Sequence, residues 1–210
     1  MAIRKYEDLN QMELDIIREV GSIGTGNAAG ALSGLLGTRV GISIPKVYIC
    51  TYDEATQTLG DPETIVAGVI SRMTGEISGI MLFLFDLDYC SEILRHLLDR
   101  EITDFTQLGE LEMSALNEVG NIMISTYVSA MCSLADIKAE LSVPNATVNM
   151  LGALISVPIV EFGYETDRLL MINGRFCIDD RQFDSSMLML PDIKSLNYLM
   201  KKLTGQDEYR

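Results

Sequence analysis

Three polar residues stand at a spacing that could bring them together for chemistry. Ser114, Glu118 and Asn121 occupy positions i, i+4 and i+7 of one stretch, and an α-helix places such residues within about 60° of one another. The amide of Asn121 has both a donor and an acceptor, so it can orient a water molecule without titrating. A solvated helix face would also be polar, so one such set does not by itself indicate a site.

The same arrangement occurs a second time, in Asp15, Glu19 and Ser22. In each set a proline follows 23 residues after the third member, at Pro45 and at Pro144, within runs that are typical of strands. We expect each proline to shape a strand edge beside its set. The duplication favours two related sites over two solvated faces.

The duplication extends well beyond these residues. When residues 9–45 are placed over residues 108–144, an offset of 99, ten of the 37 positions are identical, whereas average composition gives about two or three. Residues 81–86 match residues 187–192 at an offset of 106, which indicates a short insertion in the second half. We therefore predict one domain, 1–210, made of two similar halves at approximately 9–103 and 108–206.

Each half is predicted to contain a long helix, then β-strands, then a shorter helix. Asn10 with Glu13 forms a capping-box signal, and Gly109 with Glu112 takes the same place in the second half. Asn173-Gly174 predicts a hairpin turn, and Thr74-Gly75-Glu76 predicts one more weakly. Strand-like runs lie at 40–51, 64–71, 77–85, 139–150, 153–162 and 168–178. The fold class is α+β, with pseudo-two-fold symmetry and a continuous, mostly antiparallel sheet covered by helices.

A glycine-rich stretch in the first long helix raises the alternative of a nucleotide-binding loop. Gly24 and Gly26 form a G-x-G, but such a fingerprint should follow a strand and open a helix, and this one lies in mid-helix. Its counterparts in the second half are Met123 and Ser125. Close packing of the two long helices, crossing near Gly21 and its counterpart Gly120, explains the glycines better.

Composition excludes several classes of function. The net charge of −14 disfavours binding to nucleic acid and to anionic membranes, because few cations are available to neutralise phosphates. No apolar run reaches the length of a membrane span. The four cysteines are widely separated and His96 is the only histidine, so we expect reduced thiols, a cytoplasmic location and no metal or other cofactor bound by this chain.

The repeated pattern resembles the signature of the CheC family of chemotaxis phosphatases: Asp or Ser, three residues, Glu, two residues, Asn, 22 residues, Pro. The second copy, "SALNEVGNIM" with Pro144, matches it fully. The first copy, "DIIREVGSIG" with Pro45, departs from it at Ser22, where the family has Asn. The resemblance covers almost the whole chain, and the two-site plan fits the CheC type better than the one-site CheX type.

This resemblance implies an enzyme that hydrolyses the aspartyl phosphate of the response regulator CheY. It implies catalytic roles for Glu118, which would dock onto a regulator lysine, and Asn121, which would hold the water. Glu19 and Ser22 would form a second, weakened site, and Ser114, Asp15, Pro144 and Pro45 would be supporting residues. Mg²⁺ is expected on the regulator, and the receptor deamidase CheD as a further partner. The alternatives are a non-hydrolysing adaptor that binds CheY or CheD, or a flagellar switch-type relative.

Overall fold

The computed structural model describes residues 3–102, 104–162 and 168–205. Six α-helices, two short 3-10 helices (Tyr6–Asp8 and Phe105–Gln107) and eight strands lie within these ranges. The helices are α1 (Gln11–Leu36), α2 (Tyr52–Leu59), α3 (Leu87–Leu98), α4 (Glu110–Ala135), α5 (Leu151–Phe162) and α6 (Ile193–Leu203). The strands are β1 (Val40–Ile42), β2 (Lys46–Thr51), β3 (Ile65–Gly75), β4 (Gly79–Phe85), β5 (Ala139–Leu141), β6 (Asn145–Met150), β7 (Arg168–Ile178) and β8 (Arg181–Pro191).

The strands form one antiparallel sheet in the order β1-β7-β8-β4-β3-β5. On the two edges, β2 continues β1 along β7, and β6 continues β5 along β3. The halves meet where β4 pairs with β8, with Leu82 opposite Leu188. The predicted α+β class and the continuous antiparallel sheet are confirmed, whereas the boundaries of the two halves stay predictions.

Helices cover both faces of the sheet and create two cores. The larger core lies between the sheet and the helices α1, α3, α4 and α6, and it includes the fully buried Tyr89, Tyr127 and Phe176. The smaller core lies on the other face, under α2 and α5, around Leu82, Leu154 and Leu188. The long helices α1 and α4, which contain the two polar sets, therefore rest on a sheet that is packed on both faces.

Local signals account for the starts of the two long helices. Asn10 Oδ1 accepts a hydrogen bond from Glu13 N (3.1 Å), and Glu13 Oε2 accepts one from Asn10 N (2.8 Å). In the second half Gly109 N donates to Glu112 Oε2 (3.1 Å). The predicted capping box is therefore present at α1, and its carboxylate half recurs at α4, where glycine has no side chain to complete it.

Two predictions of local structure are wrong. Residues 153–162, expected as a strand, belong to α5, which buries Leu154 and Ile155 in the smaller core; a continuous apolar run fits either element. Asn173-Gly174 is not a hairpin turn but lies within β7, paired with Ser186 and Ser185 of β8. The chain reverses instead after Ile178, where Asp179 adopts φ 52°. The weaker turn signal is correct, because β3 ends at Gly75 with φ 111°.

Candidate functional site on the two long helices

The polar sets lie on the solvent side of α1 and α4. Ser114 and Glu118 are exposed and Asn121 is half-buried. In α1, Glu19 is exposed, while Asp15 and Ser22 are half-buried. The structure therefore presents each set along one face of a 26-residue helix, as the spacing predicts. The third member of each set lies at the margin between solvent and core.

The opposite face of each helix is fixed by packing. Three residues of α4 are at most 3% exposed: Leu116, Val119 and Met123. In α1, Ile17 and Val20 are equally buried. Side chains on a rigid, packed helix are held more firmly than those on a loop. The arrangement can therefore present a carboxylate and an amide in a defined orientation.

The glycines of the two long helices have a different cause from the one expected. A Cβ added at Gly120 would stand 2.4 Å from Val69 Cβ of β3, so this glycine lets α4 approach the sheet. A Cβ at Gly21 would meet Pro45 Cγ at 3.1 Å and a ring atom of Tyr127 at 3.3 Å. The tightest contact between the helices is at Gly24, one turn after Gly21, which also faces Tyr127 of α4, whereas Gly120 faces the sheet. The predicted crossing therefore exists near Gly21, but Gly120 takes no part in it.

Pro45 and Pro144 do not lie inside strands. Each occupies the last position of a three-residue break in an edge strand, 43–45 between β1 and β2 and 142–144 between β5 and β6. Across each break three residues face two on the neighbouring strand, because Ile42 pairs with Phe176 and Lys46 with Asn173. The register therefore shifts by one residue, as in a β-bulge.

A serine holds each bulge, and sequence reasoning missed this role. Ser43 N donates to Arg175 O and Ser43 Oγ accepts from Arg175 N, both at 2.9 Å. Ser142 makes the same two bonds to Arg72, at 2.9 and 3.0 Å. The signal was present, since Ser43 and Ser142 are identical positions of the repeat. Serine and proline together shape the strand edge, and Pro45 packs against α1 at Gly21, beside Ser22.

Asp15 already has partners within α1. Its Oδ1 accepts hydrogen bonds from Arg18 Nη2 (2.8 Å) and Gln11 Nε2 (3.0 Å). Both ion-pair side chains are about half exposed, so the pair is weak. Asp15 can exchange these partners for an external one at little cost.

The polar candidate residues lie on exposed or half-buried faces of α1 and α4, whereas Pro45 lines a small cavity with Met123 and Tyr127. A groove of about 560 Å³ lies on the other face of the sheet, lined by Tyr48, Asn173 and Ser186 among others, and none of the candidate residues lines it. Enzymes that act on small molecules bury them in concave sites. An exposed helix face instead suits a macromolecular substrate.

One group of side chains has the composition of a metal site. Glu92, His96 and Asp179 have ligand atoms within 4.8 Å of one another. However, Arg95 and Arg181 each form an ion pair with the buried Glu92, and two guanidinium groups oppose the binding of a cation. This cluster lies on α3 and just after β7, and none of the candidate residues belongs to it.

No helix within the described ranges is both long and apolar enough to cross a membrane. The cysteines there, Cys50, Cys90, Cys132 and Cys177, are free thiols that are buried or half-buried. Burial raises the pKa of the Cys50 thiol to about 11. This thiol is therefore protonated and poorly nucleophilic at neutral pH.

Comparison with known proteins places these features in context. The family described as "CheC-like family" matches residues 12–49 and 111–148, which are the corresponding segments of the repeat. The chain is 30% identical over 202 residues to "CheY-P phosphatase CheC" of Bacillus subtilis, covering 94% of this chain and 97% of that protein.

Two further similarities concern FliY proteins. The chain is 31% identical over 144 residues to "Flagellar motor switch phosphatase FliY" of B. subtilis, which covers 68% of this chain and 37% of FliY. The crystal structure of Thermotoga maritima FliY superposes with a TM-score of 0.74 at 20% identity, over 94% of this chain and 98% of that one. At this identity the structural match establishes the fold alone.

Proposed function

This chain belongs to the CheC-like family, and we propose on that basis that it hydrolyses the aspartyl phosphate of a chemotaxis response regulator of the CheY type. The observation that carries the proposal is the complete pair Glu118 and Asn121 on the exposed face of α4. The relative named CheY-P phosphatase CheC, similar over 94% of the chain, supports the substrate class.

The proposed chemistry needs no nucleophile from this chain. An aspartyl phosphate is an acyl phosphate, and its hydrolysis requires a water molecule in line with the bond that breaks. Asn121 Oδ1 accepts a hydrogen bond from that water and holds its oxygen toward phosphorus. The new P–O bond forms as the bond to the aspartyl oxygen breaks, and the electron pair leaves on the carboxylate. The water proton ends on inorganic phosphate or in solvent.

Holding the water is a sufficient contribution from one amide. Positional entropy is a large part of the barrier for a reaction between two molecules. An amide does not change charge near neutral pH, so it adds no negative charge next to the phosphoryl oxygens. Asn121 is half-buried, which restricts the movement of its side chain and favours one orientation.

Glu118 has a docking role in this proposal. Its carboxylate would be repelled by a phosphoryl group, so it pairs with a lysine of the regulator and aligns α4 over the phosphorylated aspartate. Ser114, one turn earlier on the same exposed face, supports this contact. The Mg²⁺ that balances charge at the phosphoryl oxygens belongs to the regulator in this proposal, and this chain contributes no metal ligand.

Glu19 and Ser22 form a second, weaker site. They keep the carboxylate but not the amide, with Asp15 and Pro45 in the supporting positions. A serine hydroxyl ends one bond short of the amide atoms of asparagine. Ser22 therefore reaches the water only through a second water molecule. The first half of the chain binds regulators better than it dephosphorylates them.

The decisive experiment measures phosphate release from phosphorylated CheY with and without this protein. We expect catalytic amounts of the protein to accelerate release. If the protein binds phosphorylated CheY but leaves the rate unchanged, it is an adaptor for CheY or for CheD, or a flagellar switch-type relative. Binding to CheD is a separate proposal, and titration of purified CheD tests it directly.

A further inference from the structure

An unusual polar atom lies next to the candidate catalytic pair. Asn117 Oδ1 is buried and has no hydrogen-bond partner among the described residues. Buried amide oxygens in folded proteins nearly always accept a hydrogen bond, and an exception calls for an explanation.

The position of Asn117 on α4 offers that explanation. It lies one helical turn before Asn121, and residues at i and i+4 have Cβ atoms about 5–6 Å apart. Both side chains are half-buried, so both lie along the boundary between the solvent face and the core. Amide side chains at this spacing can form a hydrogen bond with one another.

We propose that Asn117 is a positioning residue for Asn121, an inference that rests on the proposed function. When the regulator docks, Asn121 Nδ2 donates a hydrogen bond to the buried Asn117 Oδ1. An asparagine side chain can turn either its oxygen or its nitrogen outward. Fixing the nitrogen against Asn117 leaves Asn121 Oδ1 directed at the water.

The repeat makes this arrangement specific to the second half. The counterpart of Asn117 in α1 is Arg18, an exposed side chain paired with Asp15 at 2.8 Å. The half that lacks the catalytic amide therefore also lacks its positioning partner. This difference provides a matched control position on the same protein.

The test compares Asn117→Leu with Arg18→Leu in the full chain. We expect Asn117→Leu to lower kcat for phosphate release at least tenfold. Its affinity for CheY carrying the phosphate mimic beryllofluoride should stay within twofold. Its thermal midpoint should not fall, since leucine has similar volume and removes an unpaired buried acceptor. Arg18→Leu should leave kcat unchanged.

A conservative variant tests the hydrogen bond itself. Asn117→Gln keeps a neutral amide with an acceptor oxygen, so it should retain much more activity than Asn117→Leu. Unchanged kcat in Asn117→Leu, or equal losses in the two variants, would overturn the inference. Parallel loss of stability and binding in Asn117→Leu would also overturn it, because it would indicate a structural role. If the unmodified protein does not accelerate phosphate release from phosphorylated CheY, the proposed function itself fails, and this result is distinct from the outcomes above.

Discussion

Gly24 of α1 lies against the backbone of Tyr127 in α4: a Cβ added at Gly24 would stand 2.8 Å from Tyr127 Cα. Backbone cannot move aside as a flexible side chain can. Tyr127 is fully buried, and its hydroxyl lies 3.5 Å from Ile17 O of α1. The contact therefore fixes the spacing between the two helices that present the candidate residues.

We predict that Gly24→Ala destabilises the protein. Alanine favours a helix over glycine by about 1 kcal/mol, but overpacking at a fixed contact costs about 1–3 kcal/mol, so the net effect is a loss. Gly26, where no atom lies within 4 Å of an added Cβ, is the matched control. Gly26→Ala should gain up to about 1 kcal/mol. Urea unfolding measures both, and equal effects of the two substitutions would contradict this interpretation.

Asn121→Ala should remove nearly all stimulation of CheY dephosphorylation while leaving binding largely intact, because the amide positions water and is not the main contact. A displacement of about 1 Å at such a position can lower a rate about a hundredfold. Single-turnover phosphate release measures the rate, and titration with beryllofluoride-loaded CheY measures affinity. Parallel loss of both would argue against the water-positioning role.

Glu118→Ala should instead weaken binding. Its proposed partner is a cation across an exposed interface, and such contacts are screened by salt. For the unmodified protein the apparent KM should rise between about 0.05 and 0.5 M salt, and for Glu118→Ala it should rise less. A KM that does not change with salt in the unmodified protein would exclude this docking role.

The two sites should differ in activity. Glu118→Ala combined with Asn121→Ala should remove most of the turnover, whereas Glu19→Ala combined with Ser22→Ala should remove little. Ser22→Asn should raise activity above that of the unmodified protein, since the first site then regains its amide. The assignment of the dominant site is wrong if the pair at 19 and 22 carries half or more of the turnover.

Stability should depend on pH through Glu92, which is 1% exposed. Burial raises the pKa of its carboxyl, but the hydrogen bond from Arg95 and the charges of Arg95, Arg181 and His96 outweigh burial, so the pKa lies below its usual value. A lowered pKa in the folded state stabilises the fold above the ordinary glutamate value of about 4.3. This contribution disappears as pH falls through the folded-state pKa.

Glu92→Gln should therefore lower the thermal midpoint at pH 7, and the difference from the unmodified protein should shrink below about pH 4. Thermal unfolding followed by circular dichroism from pH 3 to 8 measures this. The exposed Glu140 provides a control, and Glu140→Gln should follow the unmodified protein. A deficit for Glu92→Gln that is constant across this range would show that the charge of Glu92 is not what stabilises the fold.

The sequence alone determined the features that depend on local chemistry and on repetition. Asn10 and Glu13 define the start of α1, helical spacing brings Ser114, Glu118 and Asn121 onto one face, and the offset of 99 predicts the symmetry of the fold. The assignment of catalytic roles to Glu118 and Asn121 stays a prediction. It came from the resemblance of the pattern, and fold alone does not fix function.

Only the tertiary structure decided features that depend on distant partners. Asn173-Gly174 continues a strand because β2 and β8 pair with β7 on both sides, and two ladders of hydrogen bonds outweigh the preference of that dipeptide for a turn. Residues 153–162 belong to a helix, from which Leu154 and Ile155 pack into the smaller core against the sheet. The glycines likewise gain their meaning from what approaches them, Val69 at Gly120 and Tyr127 at Gly24. Local propensity cannot encode these contacts, because each partner lies far away in the chain.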